Sequence, residues 1–249
     1  MQLVFLTALG VGGATVAGAL IGFIFKNISH RFSNLVISFA AGIMLSAAFL
    51  GLILPSIEYG GRFGVLVAVL GILVGGVCIN LSDRLVPHIH KLVGGEQKSS
   101  GRVKSVLLFV IAIGIHNLPE GIAAGVGFGA GDVEGAILIA AGIALHNIPE
   151  GMVIISPMLS ACISPKKTFI LALLTGLAEV VGTLIGYFAV SVAQAILPFA
   201  LAFAGGAMLY VISEEMIPET HADGEAYRVT YAFLCGTCAM LVLDALMSV

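Results

Sequence analysis

The chain has 249 residues, 59% of them hydrophobic and only 10% charged, and its mean hydropathy is +1.11. A soluble domain carries about a quarter charged residues, so composition excludes a soluble globular protein and points to a polytopic membrane protein. The formal net charge of -3, with no basic patch, gives no reason to expect a nucleic-acid partner.

Eight apolar runs follow one another along the chain: residues 2–25, 34–57, 63–83, 105–128, 134–158, 168–190, 194–213 and 229–248. Each is near the roughly 20 residues that carry a helix across about 30 Å of hydrocarbon. In lipid the backbone has no outside partner, so helices are expected throughout and the fold class is all-α, one transmembrane domain over 1–249. The first run has no basic segment before it and is long for a signal peptide, so it is read as a span. Cys78, Cys162, Cys235 and Cys238 lie in or beside spans. The Cys235–Cys238 spacing has no second pair and reads as small packing residues, with no disulfide framework.

Basic residues set the orientation. The connections after spans one, three, five and seven hold Lys26 and Arg31; Arg84, Lys91, Lys98, Arg102 and Lys104; Lys166 and Lys167; and Arg228, ten of the eleven. The other connections hold Arg62 alone. The positive-inside rule then places the odd connections in the cytoplasm and both termini outside. Residues 84–104, rich in Gly, Ser and Lys, read as a flexible cytoplasmic linker. Within it His88 and His90 form an HxH pair able to hold a metal weakly.

Two repeats organise the chain. Phe39–Leu45 in span two resembles Phe203–Leu209 in span seven, and both are followed by Pro and Glu: Pro55 and Glu58, Pro218 and Glu219. Spans two and seven run in opposite directions, which implies an inverted repeat of helices 1–3 and 6–8 around central helices 4 and 5. Such repeats mark secondary transporters; Gly-rich stretches of this kind also serve close helix packing.

The second repeat carries the chemistry. His116-Asn117-Leu118-Pro119-Glu120-Gly121 returns thirty residues later as His146-Asn147-Ile148-Pro149-Glu150-Gly151. On a helix i and i+4 share a face, so His116 points with Glu120 and His146 with Glu150. Pro119 and Pro149 leave the carbonyls of Ile115 and Leu145 unbonded. Both motifs lie about halfway along their spans, and the short connection at Gly129–Glu134 makes the spans antiparallel neighbours, so the motifs meet near the midplane. Glu179 adds a third carboxylate from span six. Imidazole and carboxylate together suit Zn²⁺, Fe²⁺, Co²⁺, Mn²⁺ or Cd²⁺. Three ionised, unpaired Glu would cost on the order of 8–10 kcal/mol at the bilayer centre. No Lys or Arg lies near them in sequence, so either protons or a cation must neutralise them.

Span seven ends in Ser213-Glu214-Glu215-Met216-Ile217-Pro218-Glu219-Thr220-His221. Glu214, Glu215, Glu219 and His221 are candidates for an acidic exit at the cytoplasmic side, with Glu214 and Glu215 deeper. Glu58 and Asp244 are candidates for attracting cations at the outer mouth. Asn80, Asp83, Met44 and Met208 read as packing or boundary residues.

The paired HNxPEG motifs resemble those of the ZIP (Zrt-, Irt-like protein) family of divalent metal transporters, especially its bacterial GufA-like and ZupT-like members, and the likeness covers essentially the whole chain. The resemblance implies a binuclear centre, with one metal on His116, Glu120, His146 and Glu150 and a second on Asn117, Glu120, Asn147, Glu150 and Glu179. It also implies movement of Zn²⁺ or a similar cation into the cytoplasm across the cell membrane, sliding of one helix bundle, and a homodimer. The expected function is therefore uptake of a divalent metal, with no enzymatic activity. No phosphate-binding loop of the GxxxxGK[ST] type is present. Two other readings remain: a membrane di-metal oxygenase or hydrolase, and an intramembrane metalloprotease, which would want HExxH where this chain has HNxPE.

Overall fold

The computed structural model describes residues 1–25, 29–93, 101–221 and 226–247, and among these every regular element is helical. In chain order they are α1 (Gln2–Ile24), α2 (His30–Tyr59), α3 (Gly64–Val93), α4 (Gly101–Ala130), α5 (Val133–Ser160), α6 (Pro165–Val192), α7 (Gln194–His221) and α8 (Ala226–Met247). Seven helical stretches among the described residues, covering all of these helices except α4, are long and apolar enough to cross a bilayer. α4 is itself 30 residues long. Large apolar side chains cover the outside: on α3 alone Val65, Val69, Leu73 and Val77 are exposed at helical spacing. A water-soluble protein would not present so continuous an apolar stripe, and the chain is a multi-pass membrane protein.

Local chemistry sets several helix ends. Ser29 Oγ accepts the Phe32 N–H and Asp132 Oδ1 accepts the Gly135 N–H, each answering a donor that the first turn leaves open. Gly131, at φ +86°, lets the chain reverse within two residues, so α4 and α5 are antiparallel neighbours as their short connection requires.

α2 and α7 each change pitch once. Pro55 has no N–H for the Gly51 carbonyl, and Pro218 has none for that of Glu214. Just before each proline the bonding slips to five residues: Leu54 N–H donates to Phe49 O and Ile217 N–H to Ile212 O. The helices are π-helical over Ala48–Ile53 and Ile212–Met216 as a result.

The closest partners are α4 with α6, α1 with α5, α3 with α7 and α2 with α8, while α1–α6, α2–α5 and α4–α7 join these pairs. Exchanging α1 with α6, α2 with α7, α3 with α8 and α4 with α5 leaves this set of contacts unchanged. Glycines permit the approach: a methyl group on Gly18 would strike the carbonyl of Ile148, one on Gly182 that of Leu118, one on Gly151 that of Thr15 and one on Gly121 that of Glu179.

One expectation is corrected. Residues 84–93 and 101–104, expected in the linker over 84–104, are helical, because α3 continues to Val93 and α4 begins at Gly101. Leu85, Ile89 and Leu92 keep a helical spacing that an unbroken apolar run does not capture. His88 and His90 lie on that helical end, with side chains outside the described residues. As expected, the acidic segment from Ser213 to His221 is the end of α7.

Candidate metal centre

The six polar motif residues come from the facing sides of α4 and α5. His116, Asn117, Glu120, His146 and Asn147 are at most 3% exposed, and Glu150 is half-buried. His146 Nε2 stands 3.1 Å from Glu120 Oε2. The approach is not aligned as a hydrogen bond, and both atoms lack another partner. The other ring nitrogen, Nδ1, lies 3.3 Å from the Gly142 carbonyl. A carbonyl only accepts, so Nδ1 carries a hydrogen and Nε2 is the nitrogen turned toward Glu120. Ligand atoms of Glu120, His146 and Glu150 all lie within 4.8 Å of one another. Three donors converging around one small volume, two of them without a partner, suit a divalent cation.

His116 is turned to another neighbour. Its Nε2 lies 3.1 Å from Glu215 Oε1 on the π-helical turn of α7. Both line a cavity of about 60 Å³ with Glu120, Glu150, Met44 and Glu219, enough for an ion and a few waters. Met44, expected to be packing, is buried in the core and also forms a wall of this space. Glu214, expected to be deep, is exposed and absent from the lining, because one residue along a helix is a turn of about 100°. His221 is held by its own helix, its Nδ1 2.9 Å from the Ile217 carbonyl. Glu58 is exposed at the end of α2 and Asp244 half-buried near the end of α8; neither lines the cavity. Asn80 does pack, donating to the Tyr210 hydroxyl at 2.6 Å. The thiols of Cys235 and Cys238 are free and exposed on α8, and do not pack inward.

Glu179, fully buried on α6, stands at the far side of the two asparagines. It accepts Asn117 Nδ2–H, Asn147 Nδ2–H and the Thr15 hydroxyl, each at 2.5 Å. Four helices thus meet at one carboxylate. Thr15 was not evident in the sequence, where a lone hydroxyl in a Gly-rich span reads as packing. A signal existed: Thr15 and Glu179 are 164 residues apart, the separation of Met44 and Met208 in the fainter repeat.

The electrostatics favour a cation. Glu120, Glu150, Glu179 and Glu215 surround the two motifs, and neither α5 nor α4 beyond Lys104 contains a Lys or Arg. Charged carboxylates in this setting need a positive partner.

Comparison with known proteins points the same way. A family model described as ZIP zinc transporter matches residues 92–244. The chain is 38% identical to the zinc transporter GufA of Myxococcus xanthus, over 94% of each chain. It is 33% identical to the zinc transporter ZIPB of Bordetella bronchiseptica, over 93% of this chain and 77% of that one. It is 34% identical to the zinc transporter ZupT of Chlorobaculum parvum, over 93% of this chain and 92% of the relative.

Proposed function

The chain belongs to the ZIP family, and from that premise we propose that it carries Zn²⁺ into the cytoplasm through a binuclear site near the bilayer midplane. Its relatives are named as transporters of zinc, and the chain is a divalent metal transporter, not an enzyme. The convergence of Glu120, His146 and Glu150 carries the proposal of the site, because it offers nitrogen and oxygen donors to one ion where the bilayer offers none. The same donors suit Fe²⁺, Mn²⁺, Co²⁺ and Cd²⁺ as alternative cargo.

The proposed architecture is eight crossings, with both termini outside the cell membrane and the connection between α3 and α4 in the cytoplasm. Ten of eleven basic residues on one side support that orientation. An inverted repeat of helices 1–3 and 6–8 about helices 4 and 5 is supported by helix contacts that survive the exchange and by the matching π-helical turns of α2 and α7.

The chain's own groups suggest how an ion would move. It first binds Glu120, His146 and Glu150, with a second position beside them formed by Asn117, Glu120, Asn147, Glu150 and Glu179. It leaves through the cavity toward His116 and Glu215, and then past Glu219, each pair exchanging ligands without full hydration of the ion. The family resemblance adds a homodimer and bundle sliding to this reading.

Uptake of Zn²⁺ into liposomes holding the purified protein, with competing cations, tests the function. Glu120→Ala and Glu150→Ala are each expected to abolish uptake at equal protein level, since each removes a ligand of the central ion. Uptake equal to the unaltered protein's in either variant would sink the site.

A further inference from the structure

We propose that Thr15 is a positioning residue for the second metal position: its hydroxyl ties down one oxygen of Glu179 and leaves the other to reach the ion. The proposal rests on the transport reading above and adds α1 to a position that α4, α5 and α6 supply with ligands.

A threonine inside a helix commonly turns its hydroxyl to a carbonyl three or four residues back on the same helix. Four of the five buried threonines among the described residues do so: Thr168 to the carbonyl of Ser164, Thr175 to that of Ala172, Thr183 to that of Glu179 and Thr220 to that of Ile217. Thr15 differs. Its hydroxyl leaves α1 and donates to Glu179 Oε1 at 2.5 Å. The carbonyl four residues back, that of Val11, accepts Asn147 Nδ2–H at 3.2 Å instead.

The repeat shows what is particular about this position. Asn117 Nδ2–H points to the Thr175 carbonyl at 3.4 Å, much as Asn147 does to that of Val11. Val11 and Thr175 are 164 positions apart by subtraction of their numbers, as are Thr15 and Glu179. Exchanging α1 with α6 and α4 with α5 therefore turns one asparagine–carbonyl bond into the other. The same exchange sets Thr15 in the place of Glu179. At this pair the two halves differ: α6 presents a carboxylate, and α1 a hydroxyl that donates to it.

The difference has a physical consequence. A second buried carboxylate here would add charge in the membrane, whereas a hydroxyl donating to a carboxylate stabilises the charge already present. It also sets which oxygen is left over. A carboxylate has about four lone-pair sites. Oε1 of Glu179 takes the Thr15 hydroxyl and Asn117 Nδ2–H, and Oε2 takes Asn147 Nδ2–H. Oε1 is thereby filled, and the open site is on Oε2. The backbone that carries the hydroxyl is held in turn, because a methyl group on Gly151 of the second motif would strike the Thr15 carbonyl. Thr15 is 0% exposed, so no water competes for its hydrogen.

The test titrates the purified full-length chain with Co²⁺ and reads two successive equivalents by visible absorbance. Thr15→Val keeps the shape and removes the hydroxyl, and is expected to weaken the second equivalent by about tenfold or more, as loss of a group that orients a ligand does. The first equivalent is expected to stay within about twofold, since Thr15 bonds to none of its ligands. Thr15→Ser keeps the donor and is expected to bind both equivalents within about twofold of the unaltered chain. A second equivalent unchanged in Thr15→Val overturns the proposal. Equal losses in the Val and Ser variants would mean that packing and not the hydroxyl acts, and equal losses of both equivalents would mean a general disturbance; each overturns it too. A structure of the unaltered chain with Cd²⁺, located by anomalous scattering, needs no variant to fold. One Glu179 oxygen is expected at about 2.0–2.6 Å from the second ion, with the other on the Thr15 hydroxyl and Thr15 Oγ outside that distance. Thr15 Oγ on the ion, or turned back to the Val11 carbonyl, overturns the assignment. If the unaltered chain neither binds Co²⁺ nor takes up Zn²⁺, the transport site falls and this role with it. If it takes up Zn²⁺ and binds one equivalent only, the transport reading stands and the role of Thr15 alone is lost.

Discussion

Neighbouring residues in this chain have unequal parts, and the inequality is measurable. Glu214 and Glu215 are adjacent, yet only Glu215 faces His116 and the cavity. Glu215→Ala is expected to lower zinc uptake by about tenfold, as loss of a group beside a metal path commonly does. Glu214→Ala, at an exposed position, should stay within about twofold. Equal losses at the two positions would place the path elsewhere. His146 makes a second test, through protons. With Nδ1 facing the Gly142 carbonyl, Nε2 must be unprotonated to take a metal. Protons and metal compete for that nitrogen and for the carboxylates, so apparent metal affinity is expected to fall as pH is lowered. Binding heat measured in two buffers of different ionisation enthalpy should differ, because metal displaces protons; identical heats would mean that none is released.

At the scale of the helix, glycine and proline decide how close the elements come and which way they face. Gly18 lies against the Ile148 carbonyl, and a methyl group there has no room. Gly18→Ala is expected to destabilise the fold by roughly 1–3 kcal/mol, the usual cost of overpacking. Gly13, on the same helix, has nothing within 4 Å of an added Cβ. Gly13→Ala should leave stability unchanged or raise it by about 0.5–1 kcal/mol. Thermal unfolding of both variants in detergent checks the contrast, and equal shifts would remove close α1–α5 packing as its cause. Pro218 makes the comparable case on α7. Pro218→Ala restores an N–H for the Glu214 carbonyl and favours regular α-helix over Ile212–Met216. That rotates Glu215 away from His116, so uptake is expected to fall although no ligand is removed. Unchanged uptake would show that the π-helical turn is dispensable.

For the whole molecule the open question of orientation has a native reporter. Cys162 is exposed between α5 and α6, two residues before Ser164 and close to Lys166 and Lys167. If odd connections are cytoplasmic, a variant keeping Cys162 alone, with Ser at 78, 235 and 238, should react with a membrane-impermeant maleimide in inside-out vesicles and not in right-side-out ones. Labelling only in right-side-out vesicles would invert the topology and with it the direction assigned to the acidic exit. Along their middle turns α3, α6 and α8 present exposed Leu, Val, Ile and Phe side chains, as a lipid-facing surface requires.

The sequence by itself determined the class and most of the site. Low charge, long apolar runs and the absence of water as a backbone partner leave helices crossing a membrane as the solution. Two His-Asn-x-Pro-Glu-Gly motifs already place imidazole over carboxylate on one helix face, because 3.6 residues per turn is a local property of the chain. Tertiary structure decided what each face meets. Thr15 is one hydroxyl among glycines until α1 lies beside α6, and only then does it bind Glu179. His116 and Glu215, 99 positions apart by subtraction of their numbers, become partners because α4 packs against α7 and Glu215 projects from the π-helical turn of α7. The amides of Asn117 and Asn147 point their N–H groups at Glu179 for the same reason. Helical phase is local, whereas the register of one helix against another is a balance of packing that no single segment contains.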